Sequence, residues 1–190
     1  MKNSMLFKLT VIALSFSTGR VAFAQEMVVK NYGSFNDWKV AEVANHGLWK
    51  KSACVASTKT DDGKSSLEFY AEKGTASADT DFTEPTIQVV TASGIKGFTS
   101  ATLTDPDASS GHAAVFNLTL ASTQENPPAF GLLSRMSDRK KITQLLMDLN
   151  NAEVQIFNAK GKVIKSLEFS LSGATKAIQA AIKNCALSKE

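Results

Sequence analysis

The sequence predicts a mainly β, sandwich-like single domain with two short helices, the second of them C-terminal. Three observations carry this. Short stretches alternate apolar and polar residues with period two. Clusters of Gly, Asp, Asn and Ser separate them. Helical spacing of apolar residues is confined to two late stretches, near 138–149 and 172–184.

Each element follows from its local pattern. Residues 35–44 place Trp38 and Val40 on one face and Asp37 and Lys39 on the other, the alternation of a half-buried strand. Asn45-His46-Gly47 reads as a turn. Residues 53–58 and 66–72 form two arms of a hairpin around the polar Asp-Gly turn at 59–64. Residues 73–84 are rich in Gly, Ala, Ser, Thr and Asp, which predicts a mobile loop. Residues 86–91 are a β-branched strand, and 96–103 and 113–120 are strands around a polar loop at 104–112. Asn126-Pro127-Pro128 then breaks the strand pattern, because a Pro pair disrupts a central strand. Ser137 reads as the cap of a helix with Ile142, Leu145, Leu146 and Leu149 on one face. Residues 153–158 and 162–170 form a hairpin around Ala159-Lys160-Gly161. The final helix gathers Ala174, Ile178, Ala181, Ile182 and Cys185 on its apolar side.

The first 24 residues read as a transport address. They contain Lys2, Lys8 and Arg20, no carboxylate, a short apolar stretch and the small-residue site Ala22-Phe23-Ala24. Cleavage is expected after Ala24, leaving residues 25–190 as one exported domain, periplasmic or secreted. The whole chain carries a formal +3. All three basic residues of the surplus lie in the address, so 18 basic residues face 18 acidic ones in the product. Such a balance, without a basic stretch that tracks phosphates, argues against nucleic-acid binding. No later apolar run approaches the roughly 18 residues of a membrane-spanning helix.

Cys54 and Cys185 are the only cysteines. An oxidising compartment allows one structural disulfide between them, with two free thiols or a redox pair as the alternatives. Catalytic groups are scarce. There is no Gly-x-Ser-x-Gly elbow, and His46 and His112 are the sole histidines. Asp79 with Asp81 and Asp105 with Asp107 lack the ligand series of a calcium loop. No catalytic residue, metal or cofactor is therefore assigned. The expected interaction surface comprises Trp49 and Phe130, as rim aromatics or as packing over strand edges, with the cations Arg135, Arg139, Lys140 and Lys141. That cationic group suits an acidic protein or anionic lipid headgroups, or is a solvated helix terminus.

Two stretches resemble a known family. Phe35-Asn36-Asp37-Trp38-Lys39-Val40 resembles the opening aromatic-x-Asp-Trp-x-Val strand of the bacterial invasion-associated locus B proteins. Residues 162–164 and the run Leu167-Glu168-Phe169-Ser170-Leu171-Ser172-Gly173-Ala174-Thr175-Lys176-Ala177-Ile178 resemble its closing strand and helix. The resemblance spans about Phe35 to Cys185 and implies a secreted or periplasmic β-rich protein, in some members linked to host-cell entry. Members commonly carry a cysteine soon after the Trp strand, paired nearby. Here that position falls close to Glu42, which favours a long-range bridge from Cys54. The expected function is non-enzymatic protein binding in support of the envelope or of host-cell association, through an unknown envelope or host protein. A periplasmic enzyme or enzyme inhibitor, or a carrier with an apolar cavity, are the alternatives.

Overall fold

The computed structural model describes residues 27–46, 51–72, 86–91, 95–106, 115–125 and 128–186. The mainly β class with two helices is the architecture observed. Among these residues ten strands run as β1 (Met27–Phe35), β2 (Trp38–His46), β3 (Lys51–Lys59), β4 (Ser65–Glu72), β5 (Thr86–Thr91), β6 (Ser100–Thr104), β7 (Val115–Glu125), β8 (Pro128–Ser134), β9 (Asn151–Phe157) and β10 (Val163–Ser170). The helices are α1 (Arg139–Asp148), entered through a 3-10 turn over Met136–Asp138, and α2 (Ala174–Ala186).

All ten strands belong to one antiparallel sheet in the order β1-β2-β3-β4-β5-β8-β7-β6-β9-β10. The sandwich-like character comes from this sheet turning on itself. Strand β10, at the far edge, returns to β3 and β4, which are not its ladder neighbours. Lys165 of β10 reaches Thr91 of β5, and Trp38 of β2 bonds the end of β10.

The inner face explains the strand alternation. Strand β5 buries Ile87, Val89 and Thr91, and β9 buries Ala152, Val154 and Ile156. Trp38, Phe69 and Phe169 are the bulkiest fully buried side chains. Helix α2 covers β2, β3 and β4 with Ala174, Ala177, Ile178, Ala181 and Cys185. Their spacing of three and four residues makes one stripe, and four of the five side chains are small, so the helix lies close to the sheet. Helix α1 inserts Ile142, Leu145 and Leu146 into the same core, against α2 and β5. Val43, Ala53, Val55 and Tyr70 form a second buried cluster on the opposite face of β2–β4. The middle of β3 is thus buried on both sides.

Several sequence expectations change. The strand expected over 35–44 is two strands, because Asn36 adopts φ 51° and turns the chain between Phe35 and Trp38. Residue 46 belongs to β2 rather than to a turn. Strand β8 was not expected. Pro128 opens it as its first residue, where a missing N–H is tolerated, and β8 then lies between β5 and β7. Strand β6 begins at Ser100 rather than at 96. Helix α1 is capped at Asp138, without a side-chain cap bond, and not by Ser137, whose hydroxyl donates to the Asp138 carboxylate. The loop expected at 73–84 and most of that at 104–112 lie outside the described residues.

Candidate functional site

The two stretches that carried the family resemblance meet in space. The β1–β2 turn packs against the connection from β10 to α2, over 130 residues later. The Trp38 indole N–H donates to the Ser170 carbonyl at 3.1 Å. The Asp37 N–H donates to Ser172 O at 3.3 Å, and Asn36 Nδ2 to Ser172 Oγ at 3.0 Å. The Ser170 hydroxyl donates to the Asp37 carboxylate at 2.6 Å. Gly173 completes the clasp. Its φ of +89° disfavours other residues, and an added Cβ would overlap the Phe35 carbonyl. A cleft of about 430 Å³ opens here, lined by Ser34, Phe35, Asn36, Gly173, Thr175 and Lys176. The hydroxyl of Thr175 donates to Met147 O, which ties α1 to the start of α2. These groups fix two segments to each other. They do not pair a nucleophile with a base.

The expected disulfide is present. Cys54 of β3 bonds Cys185 of α2, with the Cα atoms 5.7 Å apart and a separation of 131 positions in sequence. Glu42 lies opposite Cys54 in the ladder and is only 7% exposed. It accepts a hydrogen bond from the Tyr32 hydroxyl at 2.9 Å, so this buried carboxylate is partnered.

The cations fall where β8 gives way to α1. Arg135, Lys140 and Lys141 are exposed, and Arg139 is half-buried. Met136 stands among them at 67% exposure. Arg139, Lys140 and Lys141 open the helix, and its first turn holds no acidic residue. This places three positive side chains at the positive end of the helix dipole, next to the N-cap carboxylate of Asp138. Phe130 lies in β8, paired through its backbone with Thr91 and Thr123, and its side chain is outside the described residues. Trp49 and His112 also lie outside them, as do the side chain of His46 and the acidic residues Asp79, Asp81 and Asp107. The structure therefore sets the four cations along the β8–α1 junction, and describes Phe130 by its backbone alone and Trp49 not at all.

A polar layer that the sequence reading missed closes one end of the core. Thr58, Ser65 and Thr91 occupy the core-facing phase of β3, β4 and β5 and are 1–3% exposed. Lys165 shares the phase of Leu167 and Phe169 in β10 and lies opposite buried Ile156. Its Nζ donates to Thr91 Oγ1 at 3.2 Å. Burial holds this ammonium below the usual lysine range, with Lys64 adding to the effect and Asp62 opposing it. On the β3–β4 turn, the Lys64 N–H and the Thr60 hydroxyl hold the Asp62 carboxyl below its ordinary range. The signal was the in-phase Lys165, obscured by a bulge between Val163 and Lys165 that breaks the alternation.

Among the described residues, no three His, Cys, Asp or Glu side chains gather as a metal site. No helix in them is long and apolar enough to cross a membrane. Fold and site together define a disulfide-locked, mainly β protein with an antiparallel sheet and a local group of cations at the β8–α1 junction. No family model matches the chain, and no curated protein or solved structure matches it either.

Proposed function

We propose that the chain is a non-enzymatic exported protein, periplasmic or secreted, that supports envelope integrity or host-cell association by binding another protein. The observation that carries this reading is the exposed cationic ledge of Arg135, Lys140 and Lys141 around Met136. Exposed like charges set the encounter rate and the choice of an acidic partner. The Cys54–Cys185 bond favours an oxidising compartment, in keeping with the address read in residues 1–24. The resemblance to the invasion-associated locus B proteins points the same way. A core filled by Trp38, Phe69 and Phe169 supports a rigid scaffold over a carrier with an apolar cavity.

The test is capture from an envelope fraction with a photo-crosslinker at position 136. The expected result is one adduct that salt weakens and that Lys140→Glu with Lys141→Glu reduces at least tenfold. Equal yields from the parent and the charge-reversed chain would overturn the reading. Export has its own measurement. The secreted or periplasmic form should be shorter by 24 residues and two mass units lighter than its reduced form.

A further inference from the structure

We propose that the polar layer beneath β10 is a binding niche for one small inorganic anion of halide size, held by Thr58, Ser65 and Lys165. The proposal is independent of the cationic ledge. Thr58 Oγ1 and Ser65 Oγ are fully buried and have no hydrogen-bond partner among the described residues. Burying a hydroxyl unpaired is costly, so two such groups on neighbouring strands call for a shared ligand. The strand register brings them together. Ser65 pairs directly with Thr91, and Thr58 pairs with Leu67, one same-face step from Ser65. Same-face neighbours stand about 5–8 Å apart, a span that a single atom can bridge.

Charge decides what the ligand is. The side chain that β10 turns inward over this layer is a cation, fixed to Thr91 at 3.2 Å. A partly buried ammonium favours an anion beside it. The Asp62 carboxylate lies on the solvent side, in a turn whose own Thr60 hydroxyl and Lys64 N–H it accepts. The neighbouring backbone is occupied as well, with Thr60 N–H donating to Ser65 O and Ser65 N–H to Thr60 Oγ1. The two buried hydroxyls can therefore both donate inward, toward a site with positive charge above it.

Bromide is the probe, with the full chain melted in sodium bromide and in sodium gluconate at equal ionic strength. A bound halide stabilises by mass action, so the expected midpoint rises saturably by about 3–5 °C in bromide alone. Lys165→Met should abolish that rise, and the isosteric Thr58→Val should reduce it. Crystals grown in bromide should show one anomalous peak within hydrogen-bond distance of Ser65 Oγ. Equal melting in both salts would overturn the proposal, as would a bromide response that survives in Lys165→Met. A water without anomalous signal at the hydroxyls, or a peak with no saturable response in solution (an adventitious ion only), would overturn it too.

Discussion

At the scale of single residues, glycine and lysine carry the sharpest expectations. Gly173 and Gly63 both adopt positive φ, at +89° and +67°. Only Gly173 has backbone pressed against it, whereas an added Cβ at Gly63 meets nothing within 4 Å. Gly63→Ala should cost about 1–2 kcal/mol for the conformation alone. Gly173→Ala should cost about 3 kcal/mol or more, because the clasp must open as well. Denaturant midpoints of the two variants measure the difference. Lys165 gives a pH prediction in halide-free buffer. Its folded form releases the proton more readily than the unfolded chain does, so unfolded chains bind more protons between the lowered value and 10.5. Stability should therefore rise as pH climbs through that window, and the rise should vanish in Lys165→Met. Asp62 gives a slope of the same sign in the acid range. Its carboxyl is lowered from 3.8, so its contribution is present above that value and fades as pH falls below it. Asp62→Asn should flatten that acid limb in urea titrations.

At the scale of elements, the coupling of α2 to β3 is the central fact. The disulfide closes a loop of 131 residues, and chain-entropy reasoning assigns it about 5 kcal/mol. Cys54→Ala with Cys185→Ala should lower the unfolding free energy by up to that amount, with the far-ultraviolet dichroism retained if packing of the helix stripe suffices. The elements also show what the sequence made legible. Strand β5 was readable to the residue because its β-branched residues alternate cleanly and turns flank it. Helix α2 was readable because its small and apolar side chains keep helical spacing. The pairing of the two cysteines was legible because each had only one partner available. Strand β1 was not, since bulges between Val28 and Lys30 and between Asn31 and Gly33 break its alternation. Strand β8 was hidden by its opening proline, whose cost is removed by its terminal position. The cationic ledge was visible as a run in the sequence. The hydroxyl layer was not, because only the register of three strands aligns Thr58, Ser65 and Thr91.

At the scale of the whole molecule, an open sheet of ten strands has two edges to protect. The edge strands β1 and β10 both carry bulges, and lysines stand on each at Lys30 and Lys165. These features oppose edge-to-edge growth, even with Val28 and Val29 more than half exposed. The chain should accordingly stay unaggregated when native, and Lys30→Val should promote thioflavin-positive assembly at concentrations where the parent remains clear. The clasp has a kinetic meaning as well. Its bonds join residues 132–136 apart, so they are expected to close later than the local hairpins. Contacts made after the rate-limiting barrier leave the folding rate almost untouched and act on the escape rate. The clasp is thus expected to act as a brake on unfolding, one that engages only once Trp38 has found Ser170.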